Sequence, residues 1–170
     1  MPSPFLPTWR TQAVTGITPD FLKAQGIRLL MLDFDNTIVP YTTNIPTPAV
    51  ENWLRQMQQA ELTVCVVSNS KNSRVPDFCR KYGLDCITHA QKPFSKGIHA
   101  CLQRYAVPAE QAVLVGDQIY TDTLGGNCAG VRTVLVQAIH NHTIWLKLRH
   151  VAELPFIYAA RGRKLENEKS

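Results

Sequence analysis

Apolar residues in this chain fall into short unbroken runs, separated by stretches where they recur at helical spacing. The run "RLLMLD" (28–33) is apolar enough for a strand buried on both faces. "LTVCVVS" (62–68) reads as a second such strand, "DCIT" as a short third, and "AVLVGD" (112–117) and "RTVLV" (132–136) as two more. Helical spacing fills the gaps. "TPDFLKAQG" predicts a short helix with Thr18 as N-cap, Pro19 at the first position and Gly26 at the stop. Val50, Trp53, Leu54 and Met57 share one helical face behind the cap Thr47. Val75, Phe78, Cys79 and Tyr82 do the same within 72–82, as do Ile98, Leu102 and Tyr105 within 94–105. "TDTLGGNCAG" reads as helical. The alternation predicts an α/β fold, a doubly wound (Rossmann-like) parallel sheet of five strands with helices on both faces. Residues 1–27 read as a Pro-rich arm and short helix, 28–150 as the main domain and 151–170 as a basic tail.

Composition narrows this picture only a little. At 170 residues the chain suits one domain with a sizeable core. A net charge of +5 fits handling of anionic partners, though solubility alone explains an excess this small. Lys147, Arg149, Arg161, Arg163, Lys164 and Lys169 concentrate the excess near the end. Cys65, Cys79, Cys86, Cys101 and Cys128 form no CxxC and predict free thiols in a reducing compartment. Without a signal-peptide pattern or an apolar run of ~20 residues, the expectation is a cytoplasmic protein, at most peripheral to a membrane. Neither GxxxxGK[ST] nor GxGxxG is present, so nucleotide binding by a glycine-rich loop is not expected. No aromatic RNA-binding strand motif appears, and no nucleic-acid partner is expected.

The chemistry sits at the strand ends. Ligands of such sheets bind outside the carboxyl ends of the strands, where strand order reverses. The first predicted strand is followed by Asp33, Asp35 and Thr37, the second by Ser68 and Asn69, the third by a loop to Lys92, and the fourth by Asp117 and Asp122. Side chains at i and i+2 of extended chain point the same way, so Asp33 and Asp35 share the crevice while Phe34 packs inward. Four carboxylates there repel one another unless neutralised. Oxygen-only donors suit a hard cation such as Mg²⁺, and Lys92 adds a fixed positive charge. A cation, a lysine and the hydroxyls of Thr37 and Ser68 together suit a phosphoryl group.

"DFDNT", "VVSNS", "QKP" and "GDQIYTD" resemble, in order, the four motifs of the haloacid dehalogenase (HAD) superfamily. The resemblance covers roughly residues 28–136. It implies that Asp33 is the nucleophile and Asp35 the general acid and base. It implies Thr37, Ser68, Asn69 and Lys92 around the phosphate, with Lys92 also tied to the nucleophile. It implies Asp33, the Asp35 carbonyl, Asp117 and Asp122 around Mg²⁺, the last through water or from behind. Superfamily dehalogenases and ATPases lack the acid at position 35, so the resemblance implies a phosphatase.

Neither 38–47 nor 88–111 is long enough to fold as a cap domain, which places the chain among capless, subclass III members. Within these, "DQIYTDTLGGNCAG" and the basic C-terminus resemble the phosphatidylglycerophosphate phosphatases of bacteria and organelles. That implies a phosphorylated lipid substrate and peripheral contact with an anionic membrane surface. "IWLKLRH" (144–150) has the mixed character of an interfacial segment, and reads equally well as a helix packed on the domain edge. His140, His142 and His150 read as surface residues. Two alternatives stay open: a phosphatase of a phosphoprotein, nucleic-acid end or small phosphate, and a non-catalytic RNA- or ribosome-associated module.

Overall fold

The computed structural model describes residues 3–139, 144–160, 163 and 165. Its sheet is fully parallel, with six strands: β1 (Trp9–Thr11), β2 (Leu29–Leu32), β3 (Thr63–Val67), β4 (Asp85–Ile87), β5 (Ala112–Gly116) and β6 (Arg132–Val136). Their order is β1-β6-β5-β2-β3-β4. From β2 the chain builds outward through β3 and β4, then returns to the other side of β2 as β5 and β6. The reversal therefore opens a crevice between β2 and β5.

The sheet has one strand more than the five expected. The extra strand comes from the arm, whose residues 9–11 pair with Val134, Leu135 and Val136. Asn127 holds the arm in place, its Nδ2 donating to the carbonyls of Pro4 and Leu6. The Gly125-Gly126-Asn127 stretch thus serves packing: a Cβ at Gly126 would lie 2.4 Å from Thr133 Cγ2.

Among the described residues, six α-helices accompany the sheet: α1 (Pro19–Ala24), α2 (Pro48–Gln59), α3 (Arg74–Tyr82), α4 (Lys96–Tyr105), α5 (Leu124–Cys128) and α6 (Ile144–Ala159). Thr18 and Thr47 cap α1 and α2 by accepting from Phe21 N and Val50 N. The strands alternate in which face they feed. Leu30, Leu32, Val64, Val66, Val113 and Val115 pack under α2 and α3, whose Trp53, Leu54, Met57 and Phe78 fill one core. Leu29, Met31, Cys65, Val67 and Leu114 pack with Ile98, Cys101 and Leu102 of α4 in the other. All five cysteines are free thiols; Cys65, Cys79 and Cys101 are buried, and Cys128 is exposed.

The expected tail does not begin at residue 151, because α6 runs through that position without a break. Glu153 is buried and accepts from Ile119 N at 3.0 Å. Leu165 is fully buried, and its N–H donates to Arg10 O, so chain beyond the helix packs back on the arm. His140, His142, Arg161, Lys164 and Lys169 lie outside the described residues, as do the side chains of residues 144–151. No helix among the described residues is long and apolar enough to cross a membrane.

Candidate active site

β2 is buried along its whole length, and it ends by handing Asp33 to the crevice. Asp33 N donates to Val115 O at 2.8 Å, which extends the β2–β5 ladder one residue and fixes the start of the loop. Phe34 then turns inward, fully buried against Phe78. Asn36 takes φ 61, a left-handed conformation that Asn tolerates better than most residues. Its side chain accepts from Tyr41 N, closing the loop back on itself. Asp33 and Asp35 consequently both line one cavity of about 380 Å³, with Ser68, Asn69 and Lys92.

Lys92 is the centre of the charge arrangement. Its Nζ donates to Asp33 Oδ1 at 2.8 Å and to Asp122 Oδ1 at 2.7 Å, and the side chain is almost fully buried. Burial alone pushes an ammonium toward losing its proton. The charges of Asp122 and Asp33 more than offset this and hold Lys92 above the ordinary lysine value. Asp122 is displaced the other way by its surroundings. Burial is the largest cause, Lys92 opposes it, Asp33 reinforces it, and the carboxyl is pushed up to about 6. Asp122 Oδ2 also accepts from Gln118 N. Glycine is required beside it, since a Cβ on Gly116 would sit 2.2 Å from Asp122 Oδ2.

Asn69 secures Lys92 from the main chain. Its Nδ2 donates to Lys92 O at 2.8 Å, and its Oδ1 accepts from Lys92 N at 2.7 Å. Both ends of the amide are thereby committed to positioning. Asn69 also lines the cavity, so one residue both orders the lysine loop and borders the site. Ser68 lines the cavity, and its Oγ accepts from Ser70 N, leaving the hydroxyl proton to donate. Thr37 is buried, and its hydroxyl donates to Asp117 Oδ1 at 3.4 Å; it is not among the residues that line the cavity.

One residue of this site was missed in the sequence. Arg74, the first residue of α3, donates from Nη1 to Asp35 Oδ1 at 2.9 Å. It also donates from Nε to Asn44 Oδ1 and from Nη2 to Thr43 O. Its guanidinium lies over the rings of Phe34 and Tyr41, at 5.4 and 5.7 Å from their centroids. It thus ties the 40–44 loop to Asp35. Asp35 is nonetheless held above the usual carboxylate value, because burial outweighs the lowering by Arg74. No local signal marked it, since a cation off the apolar face at the start of a helix is ordinary.

Carboxylate oxygens of Asp33, Asp117 and Asp122 all lie within 4.8 Å of one another, and all three residues are buried. Three converging oxygen donors fit a hard divalent cation. Asp35 is not among them, its carboxylate being turned to Arg74, so any contribution from this residue falls to its backbone. Asp122 already accepts from Lys92 and Gln118, which suits a place behind the ion better than one on it.

Comparison with known proteins supplies the family. The chain is 34% identical over 132 residues to the "Probable phosphatase YqeG" of Bacillus subtilis, an alignment covering 78% of this chain and 77% of that one. Residues 89–143 match the HAD-hydrolase-like family model. The chain is a HAD-superfamily phosphatase. Solved structures of other proteins share its fold. The cobalt-bound deoxy-D-mannose-octulosonate 8-phosphate phosphatase of Haemophilus influenzae superposes with a TM-score of 0.54 at 12% identity, covering 81% of this chain and 91% of that one. The 3-deoxy-D-manno-octulosonate 8-phosphate phosphatase of Yersinia pestis gives 0.54 at 17%, covering 85% and 88%. In this HAD phosphatase no cap covers the cleft among the described residues. The 38–47 loop and the turn through 88–95 border it instead.

Proposed function

We propose that the chain is a Mg²⁺-dependent phosphomonoesterase that converts phosphatidylglycerophosphate to phosphatidylglycerol. The observation that carries the reaction type is the convergence of Asp33, Asp35, Lys92 and Asp122 at the switch point. Asp33 attacks phosphorus, forming an aspartyl-phosphate as the ester P–O bond breaks. Asp35, kept protonated more readily by its burial, donates the proton that the leaving alkoxide needs. Asp35 then takes a proton from water, which attacks the phosphorus and returns Asp33 and inorganic phosphate. Lys92 and the Ser68 hydroxyl hold negative charge on the phosphoryl oxygens throughout. Asp33, Asp117 and the Asp35 carbonyl would hold Mg²⁺, with Asp122 behind, and the ion would neutralise charge where one anion meets another.

The lipid substrate is supported by the open cleft, which admits a phosphate carried on a larger body, and by the "DQIYTDTLGGNCAG" resemblance. A rival reading takes a small phosphate metabolite, which a cavity of about 380 Å³ would hold whole. Phosphate release from phosphatidylglycerophosphate in mixed micelles, set against a panel of sugar and nucleotide phosphates, separates the two. The lipid reading expects the micellar substrate to lead in kcat/KM. A sugar phosphate at the head of the panel would reverse it.

A further inference from the structure

Among the described residues, four large apolar side chains are markedly exposed: Tyr41, Ile45, Phe94 and Tyr158. Three of them belong to the two loops that border the cleft. Tyr41 lines the catalytic cavity itself. Ile45 is 69% exposed and directly follows Asn44, which Arg74 clamps at the cavity edge. Phe94 is 74% exposed and lies two residues beyond Lys92. Neither loop is floppy, since Arg74 pins the first and the Asn69 amide pins the second. Exposed apolar side chains on loops held at the mouth of a cleft suit an external contact.

The charge around these side chains is one-sided. Lys71, in the loop after β3, and Lys96, the first residue of α4, are exposed, and Arg74 at the start of α3 is half-buried. The loops 33–47, 68–73, 88–95 and 117–121 carry no carboxylate beyond Asp33, Asp35 and Asp117. Two acids do occur in the first turns of nearby helices, and both are engaged: Glu51 with Arg55 at 3.6 Å and Asp77 with Arg80 at 3.2 Å.

We infer that the rim formed by Ile45 and Phe94, flanked by Lys71 and Lys96, is a docking surface for an anionic phospholipid bilayer. Such a surface inserts apolar side chains at the headgroup boundary while lysines meet anionic lipid, each near-surface cation contributing about 1 kcal/mol. The inference rests on the lipid-phosphatase reading and gives it a geometry. A phosphate on a lipid headgroup stands close to the membrane plane, so Asp33 reaches it only if the cleft opens onto that plane. Tyr41, in the loop that carries Ile45, and Lys92, two residues before Phe94, both line the cavity of Asp33, so the rim residues follow directly on the cleft.

The test is co-sedimentation of the protein with vesicles of phosphatidylglycerol and phosphatidylcholine in equal parts, and with phosphatidylcholine alone. Wild type is expected to sediment with the anionic vesicles preferentially. The double variant Ile45→Ser/Phe94→Ser should partition about tenfold or more weakly, as burial of two large side chains is worth, while hydrolysing a soluble chromogenic phosphate at the wild-type rate. That retained activity shows that the variant is folded. Unchanged sedimentation of the double variant overturns the inference, as does loss of sedimentation in Trp145→Ser alone. A wild type that ignores vesicles but dimerises through the rim, becoming monomeric in the double variant, assigns the surface to a second copy and overturns it too. Failure of the lipid reading is seen separately, as no phosphate release from a soluble short-chain phosphatidylglycerophosphate.

Discussion

Lys92 Nζ bridges Asp33 and Asp122, at 2.8 and 2.7 Å, from a position with almost no solvent contact. A cation so placed is structural, and in the proposed mechanism it is chemical as well. Replacing it with methionine leaves two buried carboxylates uncompensated, a loss of about 3–5 kcal/mol. The same change removes a charge from the phosphoryl site, and kcat is expected to fall about 10²–10³-fold. Thermal melts and saturating-substrate kinetics on Lys92→Met check both. Unchanged kcat would place the lysine outside the chemistry.

Asn69 acts one step behind. Asn69→Ala deletes both bonds to the Lys92 main chain, at about 1 kcal/mol each. Because the lysine side chain keeps its partners, kcat should drop by about tenfold with KM little changed. An effect on KM alone would instead mean that Asn69 touches substrate.

Arg74 gives a different signature. Arg74→Ala frees the 40–44 loop and removes a cation from Asp35, so the Asp35 carboxyl rises further above the carboxylate range. The kcat/KM limb that reports Asp35 should shift to higher pH. Lys at this position restores charge without the planar fork that reaches Asn44 and Thr43, so it recovers the pH limb but not kcat. A profile identical to wild type in both variants would dismiss the contact as incidental.

Stability in the absence of metal should depend on pH through Asp122. Its folded pKa, about 6, lies above its ordinary 3.8. The group therefore contributes most when protonated: its stabilisation is present below about pH 4 and fades as pH rises through about 6. Tm of wild type minus that of Asp122→Asn, both in chelator, should thus decline from pH 4 to 7. Added Mg²⁺ at pH 7 should raise the wild-type Tm. A difference independent of pH would mean that Asp122 ionises as freely as on the surface.

The sheet and the four strand-end motifs were legible because each rests on local signals: apolar runs, caps, and acids at fixed offsets. What escaped depends on distant chain. β1 is only three residues, and its pairing with Val134–Val136 needs a partner more than 120 positions away. Arg74 looks like any helix-start cation until the 40–44 loop folds over it. Thr37 sits in the motif as a phosphate contact would, yet the left-handed turn at Asn36 delivers its hydroxyl to Asp117. The helix through residue 151 was hidden by Pro155 and by charges that suggested a tail.

Asp33→Asn tests the central claim most directly. Phosphate release with and without Mg²⁺ is measured for wild type and variant, with circular dichroism confirming equal folding. The account predicts magnesium-dependent release by wild type and none by the variant. Equal release by Asp33→Asn, or none by wild type from any phosphomonoester, would contradict it.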